Sequence, residues 1–594
     1  MYEDKEALSI LYENLKKHRI SALIAPTSYG KTMFSPVLLK RAREDSIGYG
    51  LIHVVPYRAL VREIYLEKFR DIGNKFTIGY QSMDEFEEGR DKSPFFLRDL
   101  VVSTIDSYVW NAFGVPVAEF DNIVNDVSLG HGYVAGMSIF TSVNVFDEAH
   151  VYLGAGSDKA VFTMVQASVA YLSYMKVPTV IESATVPSTK LRFLKKTLSE
   201  DHFPLVYVCK TSDCSYSIQS RKYREILGGD FKPISDKDWY DYSLFKWRTY
   251  LLTKNKAIAY ASELCKSKPV LIIRNTISDA INTYRELKDK CPKITLLHSM
   301  IGARDREEKI KSLKDIIERI GAIVATQVIE AGVEAEALTI FSDIAPIENL
   351  AQRVGRLCRR KTTEKCREED IEVIIIEDGF YEHIYDSVLT MKSLEKLKKR
   401  LDSQEVIDWR LLENIQLNGA KRISFTELME EVYEETKDQG YGLTTIDALK
   451  KALELDLPST IMLEVLEGIL KDDILGVILL KLVPGDDKDN FIAVEITKLH
   501  SLIRNKREQL SRCLRLSKND SFSIHVETTE GDVDIEIDIK SFKDPFNLIR
   551  KLYYETRKIF RSMKGKEHFV IKDYYILLDE KCYSGEYGAL YDVV

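Results

Sequence analysis

The chain has few cysteines and no apolar run long enough to cross a bilayer. Its 594 residues include eight scattered cysteines, and the closest pair, Cys209 and Cys214, lacks a second pair at zinc-finger spacing. The longest apolar runs, such as ILGVILLKLV, fall short of the roughly 20 residues that a membrane helix needs. The acidic and polar start, MYEDKEALSI, does not resemble a secretory signal. We therefore expect a cytoplasmic protein with reduced thiols and no membrane partner.

The overall charge does not by itself indicate a nucleic-acid-binding protein. The formal net charge is −8, and 45% hydrophobic with 30% charged residues is the composition of an ordinary soluble globular protein. A basic groove can still lie within an acidic total, because bulk charge governs solubility and non-specific binding. The length corresponds to roughly three or four domains, and no solenoid-type repeat is visible.

Two α/β units are predicted, followed by a region of different character. Apolar runs at 21–26, 50–56, 100–104, 143–147 and 178–185 predict buried parallel strands separated by helices. The same rhythm returns at 269–275, 293–299, 321–327, 338–344 and 372–378. Alternation around a Gly-Asp turn predicts a hairpin at 521–539. The expected divisions are domain 1 at 1–208, a polar linker or excursion at 209–245, domain 2 at 246–400, and a mixed α/β accessory domain at 401–594.

The stretch APTSYGKT (25–32) follows a predicted strand and precedes a helical pattern, as a phosphate-binding loop does. In such a loop, backbone N–H groups and the helix N-terminus face the anion. Lys31 would reach the β- and γ-phosphates of a bound nucleotide, and the Thr32 hydroxyl would bind Mg²⁺. The alternative is an ordinary strand-to-helix turn. A loop poor in glycine is less permissive at positive φ, and we expect Tyr29 to pack over the nucleotide or toward the open cleft. The predicted nucleotide-binding residues, which the resemblance described below makes ATP-binding residues, are Thr27, Ser28, Tyr29, Gly30, Lys31 and Thr32.

A second motif, VNVFDEAH, ends a predicted strand with an acidic pair. Asp147 would hold the Mg²⁺ of the nucleotide, and Glu148 would orient and deprotonate the attacking water. After the next strand, ESATVP supplies Ser183 and Thr185, whose hydroxyls we expect to bond to His150 and link the site to a neighbouring domain. The alternative, a solvated acidic pair at a strand end, is disfavoured by the Gly-Lys-Thr loop upstream.

The second unit contains ENLAQRVGRLCRR, which places three arginines and a glutamine within eight residues. Arginine is always charged and forks onto phosphate oxygens, and an arginine from another domain can stabilise charge on a transferring phosphate. The alternative, a basic solvated helix face, has no need of the glycine at 355. The residues concerned are Gln352, Arg353, Arg356 and Arg359.

These motifs occur in a recognisable order. APTSYGKT, PYRAL, STIDS, DEAH, SAT, ATQVIEAGVE and QRVGRLCR together resemble a superfamily 2 helicase with two RecA-like domains, over roughly residues 15–400. A finer resemblance is to the CRISPR-associated helicase of type I systems in its helicase-only archaeal form. It rests on LIIRNTISDAINTYREL followed by LLHSMIGARDREEK, and on CYSGEYGALYD near the C-terminus.

The resemblance implies roles for the matching residues. Arg356 and Arg359 become arginine fingers, and Gln352 contacts the γ-phosphate or the water. Glu334 stands where the family often has aspartate, so its role is open. The implied catalytic set is Lys31, Glu148, Gln352, Arg356 and Arg359. The implied coupling set is His150, Ser183, Thr185 and Arg353, and the implied DNA-backbone contacts are Arg58, Thr104 and Thr326.

The resemblance also implies an activity and partners. It implies an ATP- and Mg²⁺-dependent single-stranded-DNA translocase or helicase that unwinds target DNA in type I CRISPR interference, an antiviral defence, recruited by a CRISPR RNA-guided surveillance complex. The family often carries a histidine–aspartate (HD) nuclease domain, but about two dozen residues precede the phosphate loop and no His-Asp dipeptide occurs. We therefore expect a separate HD-type nuclease subunit. The alternatives are a superfamily 2 DNA or RNA helicase outside CRISPR, and an ATP-gated nucleic-acid clamp that does not unwind.

Overall fold

The computed structural model covers most of the chain. It describes residues 5–72, 76–83, 89–153, 159–198, 202–211, 214–242, 244–317, 320–330, 339–358, 368–381, 384–417, 420–434, 442–470, 479–515, 521–564, 569 and 571–590. In the described part of the chain, no helix combines the length and the apolar character that crossing a membrane requires.

The first unit is built around an eight-stranded, all-parallel sheet in the order β3-β4-β2-β5-β6-β1-β7-β8. Its strands are β1 Ile20–Ile24, β2 Gly50–Val55, β3 Ile78–Gln81, β4 Leu100–Thr104, β5 Ser142–Phe146, β6 Thr179–Ser183, β7 Leu205–Cys209 and β8 Phe231–Ser235. Its helices are α1 Glu6–His18, α2 Lys31–Glu44, α3 Arg58–Glu63, α4 Ile105–Ala112, α5 Phe120–Val124, α6 His131–Thr141, α7 His150–Leu153, α8 Lys159–Tyr174, α9 Ser188–Leu198, α10 Ile218–Leu227 and α11 Lys237–Tyr242. A π-helical turn follows α3 at Ile64–Phe69, and 3₁₀ turns lie at Val117–Glu119 and Gly228–Asp230.

The order of the central strands brings the motifs of the first unit together. The strands β5, β6 and β1 are adjacent and parallel, so their carboxyl ends lie at one edge of the sheet. The phosphate loop follows β1, the acidic pair follows β5, and Ser183 ends β6. Ligands of open parallel sheets bind at such carboxyl ends, which makes this edge the expected place for the site.

The second unit has a six-stranded parallel sheet in the order β11-β12-β10-β13-β14-β9. Its strands are β9 Lys246–Leu252, β10 Pro269–Ile273, β11 Ile294–Leu297, β12 Gly321–Ala325, β13 Thr339–Asp343 and β14 Asp370–Ile376. Its helices are α12 Lys254–Leu264, α13 Ile277–Leu287, α14 Ala303–Ile317, α15 Ile347–Val354 and α16 Ser387–Asp402, with a 3₁₀ turn at Gln327–Glu330.

The C-terminal region mixes helices with small sheets. Three short strands, β15 Val406–Asp408, β16 Ile415–Leu417 and β17 Ala420–Ser424, precede the helices α17 Phe425–Glu434, α18 Leu443–Glu454 and α19 Ser459–Leu470. A five-stranded sheet in the order β19-β18-β22-β20-β21 follows, with β18 Leu479–Pro484, β19 Ile492–Glu495, β20 Ser521–Thr528, β21 Gly531–Asp538 and β22 Ile571–Leu578. The remaining elements are α20 Ile496–Asn505, α21 Arg507–Cys513, α22 Pro545–Lys564, the hairpin β23 Tyr583–Ser584 and β24 Gly588–Ala589, and 3₁₀ turns at Lys488–Asn490, Ile539–Lys543 and Glu580–Cys582.

The predicted fold class, two tandem parallel-sheet units with a mixed α/β C-terminal region, is confirmed. The hairpin predicted at 521–539 is β20 and β21, which pair antiparallel with Thr528 opposite Gly531. The predicted linker or excursion at 209–245 needs correction, because its residues 231–235 form β8 and pair with β7 at the edge of the first sheet. The Gly-Gly and Lys-Pro-Ile pattern concealed this strand, since Gly and Pro normally interrupt strands.

The expectation of reduced thiols is wrong for the cysteines that the structure pairs within its described residues. The structure joins Cys209 to Cys214, Cys265 to Cys291, and Cys513 to Cys582, with Cα atoms 5.5 to 5.6 Å apart. These separations match those of natural disulfides. Sequence spacing could not reveal the pairs, because two of them join residues 26 and 69 positions apart.

The C-terminal region contacts both units. The Ser459 hydroxyl donates to the Gly114 carbonyl of the first unit at 2.5 Å. On the second unit, the Ala589 N–H donates to the Met300 carbonyl at 2.7 Å, and the terminal hairpin packs on β11 and α14. The accessory region therefore spans the boundary between the two parallel-sheet units.

Candidate nucleotide-binding site

A cavity of about 520 Å³ lies between the two parallel-sheet units. Three distant parts of the chain line it. The first unit supplies residues 27–33 of the phosphate loop together with Asp147, Glu148 and His150; the second unit supplies Glu348, Gln352 and Arg356; and the segment after α16 supplies Trp409, Arg410, Leu412 and Phe425. Motifs more than 300 residues apart in the sequence thus converge on one cleft.

The phosphate loop has the backbone shape of an anion cradle. Ser28 and Gly30 have φ values of 64° and 108°, and Gly30 is the N-cap residue of α2. Lys31, the first residue of that helix, donates from Nζ to the carbonyl oxygens of Ala25 at 2.8 Å and Pro26 at 3.2 Å. Glycine tolerates positive φ, whereas serine pays about 1 kcal/mol or more there. The loop therefore keeps its shape despite having one glycine.

Tyr29 does not face the nucleotide cavity with its ring. The ring is 2% exposed and packs edge-on against Trp239 of α11, and the Lys5 ammonium lies 3.5 Å from its centroid. Burial, reinforced by the neighbouring Asp236, raises the pKa of the Tyr29 hydroxyl. The expectation that this ring packs over the nucleotide or toward the open cleft is wrong, because the segment after β8 covers it.

Asp147 is a buried carboxylate beside the phosphate loop. Its Oδ2 accepts a hydrogen bond from the Thr32 hydroxyl at 3.1 Å and lies 3.4 Å from His53 Nε2. Burial opposes ionisation, but His53 and the Lys31 ammonium hold the pKa of Asp147 well below its usual range. The carboxylate is therefore charged at neutral pH and stands next to a hydroxyl.

Glu148 occupies a different position from Asp147. Its backbone has a φ of 53°, in the left-handed region that a non-glycine residue seldom adopts. Its side chain is 29% exposed and lines the cavity, with Oε2 3.4 Å from His150 Nδ1. The strained turn thus directs this carboxylate toward the cavity, where a water-activating base would have to stand.

His150 joins the two units across the cleft. Its Nδ1 lies 3.0 Å from the Ser183 hydroxyl, which donates onward to the Thr185 carbonyl at 2.7 Å. Its Nε2 contacts the side-chain amide of Gln352 on α15. Burial lowers the pKa of His150, so the ring is neutral and can serve one neighbour as donor and the other as acceptor.

Arg353 lies apart from the cavity. It is fully buried, and its guanidinium donates to the Ser342 hydroxyl at 2.8 Å, the Asn275 side-chain oxygen at 3.0 Å and the Tyr385 hydroxyl at 2.7 Å. These bonds fix α15 to the strand ends of its own unit. Its position does not support a direct coupling role.

The other predicted residues of the second unit differ from Arg353 in position. Gln352 and Arg356 line the cavity, and Arg356 is 8% exposed. Arg359 and Glu334 lie outside the described residues. Gln352 on α15 and Arg356 in the turn after it thus face the cavity, while Arg353 points into the unit.

The predicted DNA-backbone residues lie at the carboxyl ends of strands and are not among the residues that line the nucleotide cavity, although Tyr57 and Leu60, beside Arg58, are. Arg58 begins α3 after β2, Thr104 ends β4, and Thr326 follows β12. Thr104 is the N-cap of α4 and its hydroxyl donates to Ser107 at 3.1 Å. Thr104 and Thr326 are buried, at 3% and 4% exposure, so a contact with DNA would use exposed backbone or require a local movement.

Sequence reasoning missed the residues that line the cavity after α16, among them Trp409 and Arg410. The Arg410 guanidinium donates to the Cys358 carbonyl at 3.0 Å and stacks on the Phe245 ring, 4.7 Å from its centroid. Trp409 donates from its indole to the Thr249 hydroxyl at 3.0 Å. The run DWRLLE matches no phosphate-binding pattern, and only the fold brings it to the cleft.

The donor set fits a magnesium ion associated with a nucleotide. Mg²⁺ prefers oxygen ligands and usually binds through one or two protein groups plus substrate phosphates. The Thr32 hydroxyl and the ionised Asp147 carboxylate supply such oxygens beside the phosphate loop. In the described part of the chain, no cluster of three or more His, Cys, Asp or Glu side chains forms a separate metal site.

Two family models match the chain. Residues 5–193 match the DEAD/DEAH box helicase family, and residues 266–362 match the C-terminal part of the CRISPR-associated nuclease/helicase Cas3. The first match covers the phosphate loop and the acidic pair, and the second covers α15 and the arginines. The matches thus fall on both walls of the cavity.

Known proteins and structures agree with these matches. A putative CRISPR-associated nuclease/helicase Cas3 of Methanocaldococcus jannaschii is 26% identical over 67% of this chain and 48% of its own length. The CRISPR-associated helicase Cas3 of Thermoproteus tenax is 25% identical over 57% of this chain and 53% of its own length. The chain therefore spans about half the length of these curated relatives.

The solved structures support the fold. A CRISPR-associated protein aligns with a TM-score of 0.52 and 16% identity over 82% of this chain and 63% of that one. T. fusca Cas3 with ADP aligns with the same TM-score and identity over 80% of this chain and 58% of that one. The parallel-sheet units are thus two tandem RecA-like domains, and the chain resembles the superfamily 2 helicases and, among them, the CRISPR-associated Cas3 helicases.

Proposed function

We propose that this chain is an ATP-dependent, single-stranded-DNA translocase or helicase that unwinds target DNA in type I CRISPR interference. One observation carries the proposal. A single cavity gathers a Gly-Lys-Thr loop and an acidic pair from the first unit with Gln352 and Arg356 from the second. Phosphoryl transfer depends on positioning and on neutralising charge, and these are the residue types it requires.

Each side chain has a distinct task in the proposed hydrolysis. Lys31 exchanges its two carbonyl partners for β- and γ-phosphate oxygens when the loop closes on the triphosphate. Glu148 accepts a proton from the attacking water and holds that water in line with the phosphorus. Arg356, carried by the opposite unit, stabilises negative charge as it builds on the transferring group.

Thr32 and Asp147 hold the Mg²⁺ of the nucleotide in this proposal. The ion, when bound, neutralises charge on the phosphate oxygens. Asp147 is suited to the task because His53 and Lys31 keep it ionised although it is buried. The hydroxyl of Thr32, on the first turn of α2, completes the protein's share of the oxygen donors.

Movement along DNA would follow from closure of the same cleft. The His150–Gln352 contact joins the units directly, so changes at the nucleotide alter their separation. Arg58, Thr104 and Thr326 stand at strand ends of both units and would grip the backbone of one strand alternately. Contacts with the DNA backbone do not read the base sequence, so an RNA-guided surveillance complex would choose the target. A separate HD-type nuclease would cleave the strand.

The decisive experiment compares Lys31→Ala and Glu148→Gln with the wild-type chain. We expect Glu148→Gln to bind ATP normally but to lose DNA-stimulated hydrolysis by about 100-fold or more, because the general base is gone. Lys31→Ala should lose both nucleotide affinity and turnover. Glu44→Gln, on the exposed end of α2, is the matched control and should hydrolyse ATP normally. Normal turnover in both site variants would refute the assignment.

Two further assays separate the alternatives. Strand displacement on a forked duplex distinguishes a helicase from an ATP-gated clamp, which would hydrolyse ATP without displacing a strand. Comparing stimulation by single-stranded DNA and RNA distinguishes the proposed activity from that of an RNA helicase. Co-purification with an RNA-guided complex and ATP-dependent unwinding of an R-loop would support the CRISPR role.

A further inference from the structure

The helix α17, Phe425–Glu434, lies against both walls of the nucleotide cleft although it belongs to neither parallel-sheet unit. Phe425 lines the cavity. The helix is joined to α16 by ion pairs from Arg400, one of them to Glu427 at 3.2 Å. All ten of its residues except Glu431 and Glu434 are buried, so its position relative to both units is closely defined.

Glu430 of α17 supports the Ser-Ala-Thr segment of the first unit. The Glu430 carboxylate is 1% exposed and accepts hydrogen bonds from the Ser188 N–H at 2.9 Å and the Ser188 hydroxyl at 2.5 Å. It also accepts from Gln219 Nε2 at 3.3 Å, and that amide donates to the Thr185 hydroxyl at 2.9 Å. The segment after Ser183, the partner of His150, is therefore fixed by hydrogen bonds to Glu430 of α17, directly at Ser188 and through Gln219 at Thr185.

Tyr433, one turn farther along the same face of α17, supports the helix that carries Gln352. The Tyr433 hydroxyl donates to Glu348 Oε1 at 2.6 Å. Glu348 lies in the first turn of α15, one helical turn before Gln352. Tyr433 is 3% exposed and Glu348 is 9% exposed, so this hydrogen bond is sheltered from water and competes little with solvent.

We infer that Glu430 and Tyr433 are positioning residues, through which α17 sets the separation of His150 and Gln352 and so ties ATP turnover to the C-terminal region. Glu430 acts on the His150 side through Thr185 and Ser183, and Tyr433 acts on the Gln352 side through α15. A contact between two side chains on separate units is sensitive to shifts below 1 Å. The inference rests on the proposed ATP hydrolysis.

The test removes one hydroxyl from α17. We expect Tyr433→Phe to lower the kcat of DNA-stimulated ATP hydrolysis roughly three- to tenfold, the effect of one hydrogen bond, while the KM for ATP stays within about twofold. Tyr260→Phe is the matched control, because its hydroxyl makes the same kind of bond, to Glu372 at 2.7 Å, within the second unit. That control should leave kcat unchanged.

A double-mutant cycle shows whether Tyr433 acts through Gln352. In a Gln352→Ala background, which already lacks the cross-cleft contact, Tyr433→Phe should have little further effect on kcat. Full additivity of the two substitutions would overturn the inference. A kcat of Tyr433→Phe no lower than that of Tyr260→Phe would also overturn it. So would a lower kcat accompanied by clear losses of ATP affinity and of thermal stability, because such a variant would be damaged as a whole.

Failure of this inference is distinguishable from failure of the proposed function. If the wild-type chain hydrolyses no ATP with DNA present, the proposed function fails and the inference falls with it. If the wild-type chain is active and Glu148→Gln is inactive, but Tyr433→Phe and Glu430→Gln both match the wild type, the proposed function stands and α17 has no positioning role.

Discussion

Arg62 and Glu307 form an ion pair across the two RecA-like domains, with Arg62 Nη2 2.9 Å from Glu307 Oε1. Arg62 lies on α3, one turn after the predicted DNA contact Arg58, and Glu307 lies on α14. The side chains are 29% and 45% exposed. Solvent and salt therefore weaken the attraction.

We expect Glu307→Gln to lower the free energy of unfolding by at most about 1 kcal/mol in dilute buffer, and by less in 1 M salt. Thermal unfolding at both salt concentrations measures the difference. Glu308→Gln, at the next and more exposed position of α14, is the control. A salt-independent loss of several kcal/mol would contradict the weak-pair interpretation.

The contact between His298 and the terminal hairpin should depend on pH. Burial lowers the pKa of His298 to about 4, against about 6.5 in an unfolded chain. Its Nδ1 accepts from the Met300 N–H at 3.2 Å, and its Nε2 lies 3.0 Å from the Tyr587 carbonyl. A proton on Nδ1 would remove that acceptor.

The sign of the pH effect follows from these two pKa values. Above pH 6.5, His298 is neutral in both the folded and the unfolded chain, so it does not change stability with pH. Between pH 6.5 and 4, the unfolded chain binds the proton first, so the stability of the folded chain falls as the pH is lowered. We expect a loss of up to roughly 3 kcal/mol. Denaturant unfolding from pH 7.5 to 4.5 should show the slope, and His298→Gln should flatten it. An equal slope in that variant would assign the effect to other groups.

Gly588 should not tolerate a side chain. It has a φ of 83°, and a Cβ there would lie 2.6 Å from the Met300 carbonyl oxygen. We expect Gly588→Ala to cost about 1–3 kcal/mol of stability through strain and displacement of the hairpin. Gly136→Ala, in α6 with no atom within 4 Å of the new Cβ, should instead stabilise by about 0.5–1 kcal/mol. Chemical denaturation of the two variants provides the comparison.

The Cys513–Cys582 disulfide should contribute substantially to stability. It closes a loop of 69 residues within the C-terminal region, and cross-links of this kind typically contribute about 2–4 kcal/mol, largely by restricting the unfolded chain. We expect Cys513→Ser, or reduction of the wild type, to lower the unfolding temperature. Thiol labelling under denaturing conditions should find no free thiol at Cys513 before reduction. A labelled Cys513 in the untreated protein would show that this pair is not joined.

The motifs of the nucleotide site could be predicted from the sequence because each follows a recognisable strand. Lys31, Asp147 and Glu148 stand directly after apolar runs, and parallel strands bring their carboxyl ends to one edge of the sheet. The arginine run was recognised as a group. Two of its members point in different directions, however: Arg353 is bonded within its own unit, whereas Arg356, in the turn after α15, lines the cavity.

The remaining parts of the site depend on packing between distant segments. Trp409 and Arg410 reach the cavity only because β15 to β17 pack beside β9. Glu430 and Tyr433 look like ordinary members of an amphipathic helix, and their partners Ser188 and Glu348 lie more than 80 positions away. No local pattern encodes such pairings, since they follow from tertiary contacts.

The second sheet has consequences for how the cleft can open. Its first strand, β9, pairs with its last, β14, so the chain enters and leaves this unit at the same edge. An opening motion about these two covalent connections would move the opposite edge, formed by β11, the farthest. The helix α14, which carries Glu307, packs on β11 and β12 near that edge. Arg62 and Glu307, which meet across the units far from these connections, are therefore a suitable place for a spectroscopic ruler of cleft opening.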